Sequence, residues 1–536
     1  MTAELARVAG PVGVAGLGAL FLAPARTHRL AGLVAWALAA LVLAIYLAPH
    51  GHRAVLAAAA VAGIVIAAAG AALLLRWPWL LALAALACVP ARIPVTIGST
   101  QANLLIPLYA VVAAAALALA WQLVEGDTRA GELGPVALPL AAFVGWTGLS
   151  LAWTQDLRQG AIELLAFYLP FGLLAVGLAR LDWRRQWLLL LGGELVLMGL
   201  IFAVVGVEQW ITRDIFWNPK VLVGNTYAPF FRVNSLFWDP SIYGRFLVVA
   251  MLASLVVALW TRSLRIVLAA AAAIAVMAIG LLFSFSQSSF VALAVGILVA
   301  AAFAWRRRAL VLVGLAAGVF AIGVLGSPNV RHAIVHGGKL NRVTSGRSKL
   351  VSNGLKLAVH HPVIGVGVGG FKHAYARQQH LKSKEPKAAA SHDTPITVAA
   401  ETGVPGLLLL AWLFVAGLLL AFRRAASDLA GEAAVVFGLI LATIGVHSLF
   451  YNAFFEDPMV WGALGLAAAA PLAVPPGGRA GSARAPDPST SRKQEPAEPP
   501  QLDRQVEPKR QEDQRVDGHK PQRTGERDME RLPEHG

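Results

Sequence analysis

Charged residues and cysteine are both scarce in this chain of 536 residues. Charged residues make up 14% of the sequence against 57% hydrophobic residues, and the mean hydropathy of +0.64 excludes a soluble globular domain. The single cysteine, Cys88, excludes a disulfide framework and a cysteine-based metal site. The first apolar run lacks a basic start, so we expect no cleavable signal peptide. These absences leave an integral membrane protein.

Apolar runs long enough to cross about 30 Å of hydrocarbon as a helix recur along the chain. Candidate runs lie near residues 8–24, 30–48, 54–75, 78–90, 103–121, 135–153, 160–179, 186–206, 242–260, 265–283, 286–304, 309–326, 405–422, 433–453 and 457–474. Because the first runs are rich in alanine and run 78–90 is short, we predict 12 to 15 spans. The fold class is therefore an all-α polytopic membrane protein.

Arginines in the short connections between spans predict the orientation. They fall on alternate connections, which places all of them on one side, the cytoplasm: Arg26, Arg29, Arg76, Arg180, Arg184, Arg185, Arg262, Arg265, Arg306, Arg307, Arg308, Arg423 and Arg424. The longer connections, residues 207–241 and 327–403, then lie outside the cell membrane.

The net charge of +15 can be located along the chain. Residues 476–536 hold twelve Lys or Arg and twelve Asp or Glu with few apolar residues, which predicts a neutral, disordered cytoplasmic tail. The outer loop 327–403 holds eleven Lys or Arg, from Arg331 to Lys387, against Glu385, Asp393 and, in the apolar run at its end, Glu401. Long loops are exempt from the charge rule for orientation, so this positive charge is interpreted as functional.

The large outer loop contains two patterned segments. Arg347 opens a helical pattern that ends at His360-His361-Pro362, where both histidines are interpreted first as helix C-terminal residues. A glycine-rich segment around Gly365 and Gly367 follows. It lacks the strand–helix context of a dinucleotide site, so these glycines are predicted to let the backbone turn tightly and approach a substrate.

The end of the same loop carries a candidate base. Asp393 or Thr394 is predicted to cap a helix whose first residue is Pro395, which places His392 just before a helix N-terminus. The free N–H groups there favour an anion and disfavour imidazolium, leaving a neutral imidazole that can accept a proton. A lone loop histidine is more often structural, so both interpretations remain open here.

The other outer loop offers arginines. Asp239 and Pro240 predict the cap and first residue of a span, Arg232 precedes them among aromatic residues, and Arg245 falls within the first turns. An arginine at membrane depth is costly unless it is paired, which makes Arg245 a candidate substrate-binding residue. The aromatic residues of this loop suit sugar stacking or an interfacial belt.

Three segments in order resemble the O-antigen ligase and polymerase family of bacterial surface-polysaccharide enzymes. Arg232 through Gly244 is similar to its arginine and Asp-Pro segment. Arg347 through Phe371 resembles its arginine, His-Pro and Gly-x-Gly segment, and Ser391 through Gly406 resembles its histidine and Glu-x-Gly segment. With the many spans and the long loop, the resemblance covers roughly residues 200–470.

The resemblance implies a GT-C-like membrane glycosyltransferase with N-terminal helices in 1–206, a catalytic region in 207–475 and the tail in 476–536. Such enzymes transfer glycan from an undecaprenyl diphosphate carrier to an acceptor hydroxyl at the outer membrane face, without metal or other cofactor. By resemblance, Arg232 and Arg347 grip the diphosphate and His392 is the base. Asp393 replaces the family's usual asparagine, and it either orients the imidazole or favours its protonated form.

The acceptor stays open, because ligases and polymerases share these motifs and differ in whether a lipid, a wall anchor or another glycan receives the chain. A second departure is Ser286-Gln287-Ser288, where relatives frequently have Ser-Arg. Expected partners are the lipid-linked donor, that acceptor and membrane lipids, with no nucleic acid. The competing classes are a transporter or flippase of lipid-linked intermediates, for which Glu163 and Glu194 are the intramembrane charges, and a non-catalytic assembly subunit.

Overall fold

The computed structural model describes residues 3–48, 53–97, 100–216, 218–227, 230–305, 314, 347–380, 391–426, 428–452 and 454–469. The predicted tail, residues 476–536, lies outside the described residues. The same holds for the predicted span 309–326 apart from Gly314, and for two parts of the large loop, residues 327–346 and 381–390.

Twelve helical segments of the described residues are long and apolar enough to cross a membrane, which confirms an all-α polytopic membrane protein. The first half contains α1 (Ala3–Leu22), α2 (Arg26–Leu47), α3 (Arg53–Arg76), α4 (Leu80–Ala87), α5 (Ile106–Glu125), α6 (Ala137–Leu149), α7 (Leu157–Glu163), α8 (Leu169–Ala179) and α9 (Arg185–Thr212). A π-helical turn, Leu164–Tyr168, joins α7 to α8, and short 3₁₀ turns at Gly134–Val136 and Ser150–Ala152 flank α6.

The second half contains α10 (Pro219–Tyr227), α11 (Pro240–Trp260), α12 (Leu264–Ser284), α13 (Gln287–Trp305), α14 (Arg347–His360), α15 (Phe371–Gln378), α16 (Thr394–Arg423), α17 (Leu429–His447) and α18 (Pro458–Ala469). Helix α16 is interrupted at Gly403, which has φ 72° and ψ −173°. The helix predicted from Arg347 to His360 and the helix start predicted beside Asp393 are both confirmed.

The predicted run 78–90 is wrong as a full span. Helix α4 has eight residues and is only about 12 Å long, and a hairpin follows it. Strands β1 (Ile93–Ile97) and β2 (Thr100–Leu104) pair antiparallel with Ile93 opposite Leu104. Pro90 cannot continue a helix, and the β-branched residues of β1 favour a strand.

Burial separates the centre of the bundle from its bilayer-facing helices. Segment Leu157–Ala179 buries 83% of its apolar window and α11 buries 78%, whereas the windows in α3, α9 and α12 bury 17 to 22%. We call the end that carries residues 150–156, 213–216, 230–239, 361–370, 448–452 and 454–457 the loop end. These segments lie at one end because successive membrane-spanning helices alternate in direction.

The opposite end holds an arginine network. Arg29 Nη2 lies 2.8 Å from a Glu132 carboxylate oxygen, and Arg180 pairs with both Glu132 and Asp127. A hydrogen bond from Arg129 lowers the pKa of Asp127 to about 2, against the opposing effect of burial. The arginines that predict the cytoplasmic side are therefore partly structural, because they tie α2, α5 and α8 together.

Candidate functional site

Arg232 is held at the end of a membrane helix. Its Nε donates to the carbonyl oxygen of Ser284, the last residue of α12, at 3.1 Å. Its backbone N–H donates to Asn225 Oδ1 at 3.0 Å, and the Asn225 amide donates back to the Arg232 carbonyl at 2.9 Å. Carbonyls at a helix C-terminus carry partial negative charge, so this contact suits a guanidinium. Seven residues on, Asp239 accepts from Ser241 N at 2.7 Å, which confirms the predicted cap of α11.

A buried serine cluster follows the end of α12. Ser286 Oγ lies 2.8 Å from Ser289 Oγ and 3.2 Å from Ser288 Oγ. Ser288 Oγ lies 3.0 Å from Nε2 of His447, the last residue of α17, whose side chain is fully buried. Sequence reasoning missed His447, since a single histidine at the end of an apolar run gives only a weak signal. Ser286-Gln287-Ser288 is also interpreted, from the sequence, only as the place of an arginine that relatives frequently have.

The turn that carries His392 is fixed on the other side of His447. The N–H of Thr394 donates to the Ser448 carbonyl at 2.9 Å, which joins the start of α16 to the end of α17. Asp393 Oδ1 accepts from Ile396 N at 2.9 Å, so Asp393 is the cap of α16. Ser391 Oγ accepts from Asp393 N at 3.0 Å. These bonds hold His392 half-buried with φ 61°, a left-handed conformation that is costly for a residue with a Cβ.

Hydrogen bonds and one step along the chain together connect these contacts across the loop end. The route runs from Ser284 through Ser286, by a bond of 3.2 Å from Ser286 N to Ser284 Oγ, then through Ser288 to His447. Ser448, the next residue, continues it to the cap of α16. Arg232 therefore lies at one end of this set of contacts, and the turn that contains His392 lies at the other end.

Burial raises the pKa of the Asp393 carboxyl, with the hydrogen bond from Ile396 N acting in the opposite direction. The hydrogen bond shows that Asp393 shapes the turn by capping the helix. The substrate-binding role predicted for Asp393 stays a prediction.

The glycine-rich segment packs against protein on both sides. Gly365 and Gly367 have φ of 65° and 84°, and a Cβ on either would lie 2.2 Å from backbone atoms of Glu401 and Thr154 respectively. Gly367 N donates to the Glu401 carbonyl at 2.8 Å, and Thr154 Oγ1 donates to the Val368 carbonyl at 2.7 Å. The tight turn is confirmed. The space beside these glycines holds protein backbone, so their predicted contact with substrate gains no support from their surroundings.

The remaining two predicted site residues differ. Arg347 is the first residue of α14, and its side chain is not among those described. Arg245 lies in a buried ion pair, with Nη2 2.6 Å from Asp457 Oδ2, and the two side chains are 2% and 4% exposed. Its other terminal nitrogen, Nη1, has no hydrogen-bond partner among the described residues. Asp457 therefore compensates the cost of this arginine without a substrate.

Other features of the described residues do not add a site. No group of three or more His, Cys, Asp or Glu in this part of the chain is placed to hold a metal ion. An apolar cavity of about 530 Å³ lies between α9, α11, α12 and α17, and no predicted site residue lines it. The predicted site residues that the structure describes lie at the loop end.

The part of the chain that includes the large loop matches a known family. A family model described as O-Antigen ligase matches residues 272–411. The match includes Arg347, Gly365, Gly367, His392 and Asp393, and it begins within α12. No curated protein matches the chain.

Proposed function

We propose a reaction for this chain on the premise that it belongs to the O-antigen ligase family, whose domain it carries at residues 272–411. Membership gives it a glycan-transferring role in the assembly of cell-surface polysaccharide. The finer proposal is that the chain moves a glycan from an undecaprenyl diphosphate carrier to an acceptor hydroxyl. The transfer takes place at the loop end, on the outer face of the cytoplasmic membrane.

In the proposed step, the acceptor oxygen attacks the anomeric carbon of the glycan and the bond from that carbon to the diphosphate oxygen breaks. The electron pair leaves with the diphosphate, and the acceptor proton passes to the imidazole of His392. Arg232 and Arg347 bind the diphosphate, because a planar guanidinium makes two-toothed, charge-assisted bonds to phosphate. The same bonds stabilise the charge that grows on the leaving group.

The observation that carries this proposal is the buried route from Ser284 to Thr394. It fixes the segment of Arg232 and the turn of His392 to a common set of helix ends. Transfer needs a leaving-group clamp and a base held at a constant separation, since small misplacements cost large factors in rate. The positive φ of His392 supports the same interpretation, because strained conformations cluster at functional sites.

Purified protein in vesicles provides the test, with a lipid-diphosphate oligosaccharide as donor and lipid, wall and glycan acceptors offered separately. The length of the product and its point of attachment distinguish ligation from polymerisation. Wild type should transfer glycan without added nucleotide, and His392→Ala should not. His373→Ala is the matched control, since His373 is an exposed histidine of α15 at the same end.

Equal transfer by His392→Ala and wild type, in protein shown to be inserted, would remove the histidine from the chemistry. Movement of intact labelled donor across the vesicle membrane without transfer would instead favour the transporter class. If the wild-type protein alone neither transfers glycan nor moves the donor, and an added partner protein restores transfer, the chain would be an assembly subunit.

A further inference from the structure

Helix α14 exposes large apolar side chains although it is not a membrane span. Its inner side packs through Leu357 and Ala358 onto Phe371 and onto Ala400 of α16. Its outer side nevertheless leaves Leu355 55% and Val359 69% exposed. After the end of the helix, Val363 and Ile364 are also exposed, at 66% and 47%. Side chains at positions i and i+4 share a helix face, so Leu355 and Val359 form one stripe.

This stripe continues into the bilayer-facing surface of α16. The N–H of Val404 donates to the Pro362 carbonyl at 2.7 Å, which brings Val363 beside the first residue after the Gly403 interruption. Val404 is 48% exposed, and Leu408, one turn further along the apolar part of α16, is 63% exposed. Exposed apolar side chains therefore recur from a membrane-spanning helix to α14, with His360 and His361 also exposed between Val359 and Val363.

A tryptophan and a lysine border the stripe, as these residue types do at membrane interfaces. Trp153 Nε1 donates to the Ile364 carbonyl at 3.1 Å, and tryptophan favours the boundary between hydrocarbon and water. Lys356 and His360 are exposed beside Val359, and a lysine can bury its alkyl stem while its ammonium stays in water. The chain has no acidic residue between Asp239 and Glu385, so nothing on α14 opposes anionic headgroups.

We propose that α14 is an in-plane membrane helix, whose stripe of Leu355, Val359, Val363 and Ile364 enters the lipid leaflet at the loop end. A helix with one apolar and one basic face lies at this depth, with its apolar side roughly 5–10 Å into the boundary of headgroups and acyl chains. Arg347, the first residue of α14, is thereby placed at headgroup level. There it would meet the diphosphate of a lipid carrier if the proposed reaction is right. The membrane contact itself does not depend on that reaction.

A soluble anionic glycan is the other occupant that the cations of α14 would suit. It fits less well, because a charged glycan would leave Leu355 and Val359 in contact with water or with polar groups. The bilayer satisfies both features at once, since hydrocarbon covers the stripe and headgroup phosphates face Lys356.

Lipid-borne quenching of a fluorophore measures the contact directly. Because Cys88 is the single cysteine, Cys88→Ala gives a cysteine-free background into which one new cysteine at a time is introduced, the first being Val359→Cys. Each single-cysteine variant is labelled with an environment-sensitive dye in vesicles of phosphatidylcholine and phosphatidylglycerol. Leu408→Cys is the lipid-facing reference. Asp214→Cys is the aqueous reference, since Asp214 is an exposed acidic residue at the loop end. Leu355→Cys serves if the Val359 variant does not insert.

With brominated acyl chains, we expect a loss of fluorescence at position 359 similar to that at 408 and at least about threefold that at 214. Aqueous iodide should quench position 214 and spare position 359. Quenching of 359 by iodide to the same extent as 214 would overturn the proposal. Protection of position 359 from iodide only after a soluble anionic glycan is added would also overturn it, because α14 would then be a glycan-docking face. Neither readout requires glycan transfer, so failure here is distinguishable from failure of the proposed reaction.

Discussion

Replacing Arg245 and Asp457 singly and together separates a structural ion pair from a substrate-binding arginine. Arg245→Met keeps the length of the side chain and removes its charge. Asp457→Asn removes the opposite charge and keeps an oxygen that can accept from Met459 N, a bond of 2.9 Å at the start of α18. The single variants each leave one buried charge, and the double variant leaves none.

The expected magnitude follows from the burial of the pair. With side chains 2% and 4% exposed and the charged atoms 2.6 Å apart, loss of one partner should cost about 3–5 kcal/mol. The double variant should recover most of that loss, because replacing a whole buried pair with neutral groups is often close to neutral. Arg262→Gln is the control, since Arg262 is exposed beyond the other end of α11 and should change stability by less than about 0.5 kcal/mol.

The stability of the three variants is measured by thermal unfolding in detergent, monitored as loss of the folded monomer on size exclusion. Glycan transfer is measured on the same variants. Recovery of both stability and transfer in the double variant would assign Arg245 to the scaffold. Recovery of stability without transfer would return Arg245 to the substrate site. The reasoning is refuted if the single losses simply add in the double variant, because the pair would then carry no coupling energy.

Further changes address the chemistry and the chain ends. His392→Ala should lower turnover by roughly 10²–10⁴-fold with little change in donor binding, and its pH–rate profile should lose the acidic limb. Arg347→Lys should be nearly as damaging as Arg347→Ala in the transfer assay, because a point charge cannot make the two-toothed contact with phosphate. Turnover at the wild-type rate in Arg347→Lys would show that only positive potential matters at this position. Burial raises the pKa of Asp393 above its ordinary value of 3.8, so between these two pKa values the folded protein binds more protons than the unfolded chain. This carboxyl therefore makes the free energy of unfolding fall as pH rises between them. Asp393→Asn, which can still cap α16, should flatten that slope in unfolding experiments from acidic to neutral pH and keep most of the transfer rate. Truncation after Pro475 should leave transfer unchanged, and an inserted but inactive product would give the tail a role in the reaction.

Local sequence signals predicted the helix boundaries of the candidate site. Asp239 before Pro240, and Asp393 before Thr394-Pro395, each specify a cap and a first turn within four residues, and both helices begin there. Such signals depend on neighbours in the chain, so they can be read without knowing the fold. The run 78–90 misled because apolar composition alone does not show where a helix stops.

Contacts between distant segments could not be predicted in this way. Ser288 and His447 are 159 positions apart, and Thr154 and Val368 are 214 positions apart. Only the assembled bundle brings them together, and a single sequence contains no signal for such pairs. The role of Gly365 shows the same limit. The tight turn at this glycine was predicted from the sequence, whereas the Glu401 backbone that fills the adjacent space was not.

The bonds between the glycine-rich segment and the interruption in α16 restrict how this part of the chain can change during evolution. Val366 N donates to the Ala400 carbonyl, Gly367 N donates to the Glu401 carbonyl, and Val404 N donates to the Pro362 carbonyl, at 2.7 to 3.0 Å. Adding or removing one residue would shift the pairing, and each buried backbone group left unpaired costs about 1–3 kcal/mol. Natural variants should therefore keep a constant number of residues from Pro362 to Gly370 while their side chains differ, and tolerated insertions should fall elsewhere in the large loop.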